Sequence, residues 1–254
     1  LDAGADAYNV AVGFQAGYAM TTGLENTLIG ATSGDSLNTG GYNVAVGSNA
    51  LSFATTSSFN VAVGRSALYT NILAARNTAI GHHALYTLNT GVATDTYNTA
   101  VGYKAGTAVT TGSSNTLIGG LAGDALTAGT SSVAVGTQAL SAEDDHSFNT
   151  AVGARALQTL NAGAHGYNTV MGYVAGTAMT TGTKNTLVGG LAGDALTTGE
   201  RNVAVGYAAL SAEDAHGYNT AIGYNTLAVQ DAGTDAYNTA VGYGAGMLIS
   251  TGVR

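Results

Sequence analysis

The residues able to do chemistry in this chain are few. Its five histidines are His82, His83, His146, His165 and His216, and 15 carboxylates stand against 7 basic side chains. His146 lies close to Glu143, Asp144 and Asp145, and imidazole with carboxylates is a workable ligand set for a divalent cation. The spacing matches no zinc or calcium loop, however, and the glycine-rich nonapeptide that binds calcium in some solenoids is absent. A solvated loop is the expected state of these groups, and of the His82–His83 pair, with no metal site. There is no cysteine, no GxSxG serine and no phosphate loop; "GGLAGDAL" at Gly119 and Gly189 lacks the Lys-Ser/Thr ending. The expectation is a protein that is not an enzyme and takes no cofactor.

What positions these residues is a repeat. The decapeptide "YNTAVGYKAG" at Tyr97 returns as "YNTVMGYVAG" at Tyr167 and "YNTAVGYGAG" at Tyr237. Its Asn anchors fourteen units, from Asn9 to Asn238, with Ser132 standing in once. The thirteen spacings are 17 ten times, 19 twice and 21 once. Positions are counted below from this anchor. Gly is invariant at +4, and +3 is always Val, Ile or Met. Ala holds +7 in twelve units, and +8 is only ever Gly or Leu. After a first run of three Leu units (Leu51, Leu68 and Leu85), two Gly units alternate with two Leu units there, which sets a super-repeat of four units, so that Asn98, Asn168 and Asn238 open successive blocks.

Composition agrees with a repeat architecture. The 254 residues hold 38 Gly, no Pro and no Trp; 45% are hydrophobic and 9% charged. That is too apolar for a disordered segment and too glycine-rich for a helical bundle. The net charge of −8 disfavours nucleic acid and anionic membrane surfaces as partners, and no run is apolar and long enough to span a bilayer. The pattern is expected to continue beyond the residues given, as part of a longer chain.

Each unit reads as one coil of a narrow parallel β-solenoid, all-β, of about 14 coils over residues 1–254 as a single repeat domain. Positions +1 to +3 alternate as a strand, with β-branched residues at +1 and +3. Gly at +4 should end it, through a positive φ or a close backbone approach. A second short extended piece is expected at +7 and +8, then a return turn at segments such as Thr21–Gly23, Thr110–Gly112 and Thr180–Gly182. Alternation places the Ala rows at +2 and +7 inside, and the Val/Ile row at +3, with Leu at +8, outside. The resulting apolar stripe is larger than a soluble monomer exposes and predicts a homotrimer. Stacked anchor asparagines can form an amide ladder or serve as plain turn-entry residues.

Aromatic residues are placed in register. Tyr or Phe precedes the anchor in eight units and occupies +5 in six. In the first unit of three successive blocks these are Tyr97 and Tyr103, Tyr167 and Tyr173, and Tyr237 and Tyr243, candidates for stacking on the sugars of a surface polysaccharide. Packing at a coil edge or subunit interface is the competing reading. Three residues before the anchor, Asp6, Asp95, His146, His165, His216 and Asp235 mark the return loops.

The motifs "SVAVG" at Ser132, "NTAIG" at Asn77 and "NVAVG" at Asn43 resemble the head repeats of trimeric autotransporter adhesins, which are left-handed parallel β-rolls wound as homotrimers. "NTAVGYKAG" followed by "TTG" is more similar to repeats of bacteriophage tail fibres. The resemblance covers the whole chain. It implies the structural shaft of an extracellular trimeric attachment fibre, on a virion or a bacterial surface, mediating adhesion to a host. A glycan-binding or ice-binding solenoid is the alternative. Ice binding would want an unbroken Thr face, and +1 is interrupted by Val10, Val44, Val61, Val133 and Val203.

Overall fold

The computed structural model describes residues 6–252 and contains only β-structure and turns among them. The chain forms a parallel β-solenoid of 14 turns, divided into two compact units at Thr130 and Ser131. The first unit has seven three-residue strands, from Val10–Val12 to Thr116–Ile118; the second has seven, from Val133–Val135 to Thr239–Val241. Within each unit every strand pairs in parallel and in register with the next, as in Val44↔Val61, Ala45↔Ala62 and Val46↔Val63. A nearly constant anchor spacing places like over like, so a residue chosen once is repeated up the stack at the ~4.8 Å strand spacing.

The first strand face follows the sequence pattern. Between the first and last coils the residue at +2 points inward and is fully buried, whether Ala45, Ala151, Val170 or Leu187. Its neighbours at +1 and +3 share the outer face, half-exposed: Ile29 and Ile80 at 39%, Ile118 at 38%. Gly at +4 meets both requirements expected of it. Its φ runs from 127° to 149°, and a Cβ on Gly102 would sit 2.5 Å from the Gly119 carbonyl oxygen of the next coil.

The second half of the coil corrects two expectations. There is no second strand: +5 to +11 is a chain of turns in which +6 and +8 adopt positive φ, as Lys104 (54°), Leu51 (54°) and Leu157 (51°) do. Leu at +8 is therefore not outside. Leu51, Leu68, Leu85, Leu140, Leu157 and Leu210 are completely buried, as are the Ala residues at +7 that precede them. Strand alternation holds only in the β region; with left-handed residues at +6 and +8 on either side of +7, the side chains at +7 and +8 turn to the same side. Inter-coil bonding survives without a strand, as in Leu51 N–H to Ala67 O (3.0 Å) and Asn49 N–H to Ala31 O (3.0 Å). Where +7 is not Ala, the hydroxyl is absorbed: Ser33 Oγ donates to Ala45 O and Thr226 Oγ1 to Gly242 O, both at 2.9 Å.

A third inward row, at +11, escaped the sequence reading. It holds Leu37, Leu88, Leu126, Leu160, Met179 and Leu196, all buried. The core is thus a triangle of the +2, +7/+8 and +11 rows, and the anchor Asn closes it. The anchors are buried and form the ladder rather than isolated turn contacts. Asn60 Oδ1 accepts from Asn77 N–H (3.0 Å) and Asn77 Nδ2 (3.2 Å), while Asn60 Nδ2 donates to Asn43 Oδ1 (3.3 Å) and Ala74 O (3.1 Å). Replacing Asn60 by Ala strands those groups away from water. A loss of about 2 kcal/mol is expected, since an orphaned buried polar group costs ~1–3 kcal/mol. Urea titration followed by far-UV circular dichroism measures it, and a loss under about 0.5 kcal/mol would leave the ladder without energetic weight.

The longest coil, the 21 residues from Asn77 to Asn98, spends its extra length in the return before Asn98. There Ala74–Ala75 pairs with Thr94–Asp95 as a separate two-stranded sheet, closed by an Arg76–Asp95 ion pair at 2.8 Å.

Candidate functional site

Two sets of residues stand out from this scaffold. The first is on the outer face of the sheet in each unit. All fourteen residues before the anchor take positive φ, from Tyr8 (48°) to Tyr237 (54°), which turns their side chains out beside the strand. The +5 residues flank its other end. Aromatics in these rows stack on the next coil: Tyr42 on Phe59 (centroids 4.9 Å), Phe148 on Tyr167 (5.2 Å) and Tyr218 on Tyr237 (4.8 Å) before the anchor; Tyr207 on Tyr224 (5.5 Å) and Tyr224 on Tyr243 (5.2 Å) at +5. The six tyrosines singled out in the sequence are all at least half-exposed: Tyr97, Tyr103, Tyr167 and Tyr173, with Tyr237 and Tyr243. Tyr103 stacks on His82 (5.6 Å), which itself lies against His83 (3.9 Å), and the Tyr97 hydroxyl donates to Asp95 (3.0 Å). The outer face is thus a largely β-branched centre, bordered by Tyr or Phe in eight of fourteen coils before the anchor and in six at +5.

The second set lies in the return loops of the second unit. Glu143 and Glu213 occupy the +11 core position, where most other coils place an apolar residue, and neither exposes any surface. A solvated loop is the wrong description of them. Because the return bends tightly after +11, His146 and His216 fold back over these carboxylates. His146 Nδ1 is 3.3 Å from Glu143 Oε1 and 3.7 Å from Asp144 Oδ1; His216 Nδ1 is 3.1 Å from Glu213 Oε1. Asn149 of the ladder donates to Glu143 Oε2 at 3.3 Å. Burial pushes the Glu143 carboxyl up to about 7, against the opposing pull of His146 and with a smaller upward push from Asp144. Burial likewise raises Glu213, opposed by its bonds to His216. Asp214 and Asp231 join Glu213 and His216, and Asp144 joins Glu143 and His146; in each group one ligand-capable atom per residue lies within 4.8 Å of the others.

Elsewhere the sequence candidates stay apart: His165 packs edge-on to Phe148 (5.0 Å), and Asp95 pairs with Arg76. Glu213 is not among the residues that the sequence reading singles out. The signal that finds it is the recurrence of Glu143, Asp144 and His146, one four-unit block later, as Glu213, Asp214 and His216. No helix among the described residues is long and apolar enough to cross a membrane. No protein-family model, curated protein or solved structure matches the chain.

Proposed function

We propose that the chain is a length of the shaft of a homotrimeric extracellular attachment fibre, of the bacteriophage tail-fibre kind, that carries adhesive elements to a host surface. A bacterial surface adhesin would use the same shaft. The observation that carries this reading is the outer face of the sheet in each unit. Half-exposed Val, Ile and Thr run along it, with Val, Ile or Met at +3 in every coil and stacked aromatic pairs along its borders in some. Burial of the Leu row makes this face narrower than the sequence implied, but it remains apolar and regular, and such faces are partner-seeking. Three copies about one axis cover three such faces equivalently. The shaft then acts by reach and by presenting several terminal binding elements at once, so that weak contacts add as avidity. The net charge of −8 fits neither nucleic acid nor an anionic membrane as partner.

Light scattering on the purified chain decides the assembly. A particle of three times the 25.0 kDa chain mass is the expected result. A stable 25.0 kDa monomer would sink the shaft reading.

A second reading, contact with a surface polysaccharide, rests on the exposure of the six tyrosines on both borders of the strands. It expects glycan-array binding that falls at least about ten-fold when Tyr97 and Tyr103 are both changed to Ala, because stacking on a sugar needs the ring face. Undiminished binding by that variant would remove these tyrosines from recognition.

A further inference from the structure

We propose that the return loops at Glu143 and Glu213 are two copies of a divalent transition-metal site, with zinc as the ion that fits their donors. The reading is independent of the fibre proposal. Its first support is the placement of a carboxylate at a core position. A buried carboxylate facing a histidine stabilises no better than the Leu found there in five coils, and it lacks the amide donors that Asn71 and Gln230, the other polar residues of the row, give to Ala74 O and Asn219 Oδ1. The second support is what these carboxylates leave undone. Glu143 Oε1 and His146 Nδ1 are buried and face each other at 3.3 Å, yet neither makes an aligned hydrogen bond; Glu213 Oε2 is likewise buried without one. Glu143 and Glu213 have no exposed surface, so no bulk solvent completes them.

The separations suit donors arranged about a single ion. Zinc binds imidazole nitrogen and carboxylate oxygen at about 2.0–2.2 Å, which puts tetrahedral donors about 3.3–3.5 Å apart. The observed separations at the first site are 3.3 Å and 3.7 Å, and at the second 3.1 Å. At the first site the donors are Glu143, Asp144 and His146, three protein ligands. At the second, Glu213, Asp214, His216 and Asp231 supply four. One imidazole with carboxylates selects a first-row transition ion over magnesium, which prefers all-oxygen octahedra. The third support is repetition: the same three residue types recur one block later, while the intervening returns change.

The experiment is isothermal titration of zinc chloride into the metal-stripped full chain, with thermal unfolding in parallel. The wild type is expected to take up two equivalents per chain and to melt higher with zinc than with chelator, because the ion binds the folded loops. Glu143→Gln should leave one strong equivalent, with affinity at the altered site reduced at least about ten-fold. Glu143→Leu/Glu213→Leu should leave none, and it tests the idea even if the Gln variant folds poorly, since five other coils carry Leu there. Undiminished uptake by the Leu variant, or uptake abolished by changing His82 and His83 instead, would overturn the assignment. So would calcium uptake without zinc, or no uptake by the wild type.

Discussion

Replacing Gly102 by Ala is expected to destabilise the first unit by about 4 kcal/mol, far beyond what one methyl usually does. Two causes add. At a φ of 140° an L-residue is in a region essentially reserved for glycine, a strain of about 1–3 kcal/mol. The new Cβ would also lie 2.5 Å from the Gly119 carbonyl oxygen and 2.6 Å from its carbonyl carbon. Both belong to backbone, which cannot rotate aside, and overpacking of this kind costs a further ~1–3 kcal/mol. The control is Gly91→Ala. Gly91 also has a positive φ, 70°, but a Cβ there meets nothing within 4 Å, so only the left-handed penalty of about 1 kcal/mol remains. Urea denaturation of both variants separates the two causes. If Gly102→Ala cost no more than Gly91→Ala, close approach between coils would not be what holds Gly at +4.

The contrast between these glycines marks what the sequence disclosed and what it hid. Gly at +4, the Asn anchor and the small +2 residue recur in register because each meets the same neighbour in every coil; identity at fixed spacing is enough to find them. The anchor ladder was legible for the same reason. The +11 row was not. Its occupants include Met20, Ala54, Asn71, Val109, Glu143 and Gln230, so burial there constrains position but not residue type. The side of Leu at +8 is hidden in the sequence because the left-handed conformations that invert it fall on His83, Gln138 and Arg155 at +6, residues whose types do not announce a positive φ. A strand rule was applied where no strand exists. Glu143 shows the functional consequence: a charged residue in a variable return reads as solvated unless the core row it belongs to is known.

The alternation of Gly and Leu at +8, visible in the sequence but unexplained by it, is an exchange of volume with position +2. Leu appears at +2 as Leu28, Leu117 and Leu187, and each lies in the second of two successive Gly units. A Cβ on Gly123 would come 2.8 Å from Leu117 Cδ2, and one on Gly106, a coil earlier, 2.6 Å from Leu117 Cδ1. Gly34 stands in the same relation to Leu28, at 2.9 Å. One large side chain at +2 therefore occupies the space that two +8 side chains would need, and in every Leu unit +2 is Ala. Gly123→Leu alone is expected to lose about 3 kcal/mol through overpacking. Leu117→Ala alone should lose about 3 kcal/mol as a cavity. Made together, they rebuild the Ala/Leu pairing that Ala45 and Leu51 show within one coil, and the new Leu needs only the left-handed φ that Leu51 already adopts at 54°. The double variant should thus be more stable than the sum of the single losses by about 2 kcal/mol, a coupling of the size found for side chains in direct contact. Additivity within about 0.5 kcal/mol would show that the two positions do not share space, and the super-repeat would need another cause. Coupling of the expected sign would make the four-unit period a property of core volume, set before any surface role is assigned to it.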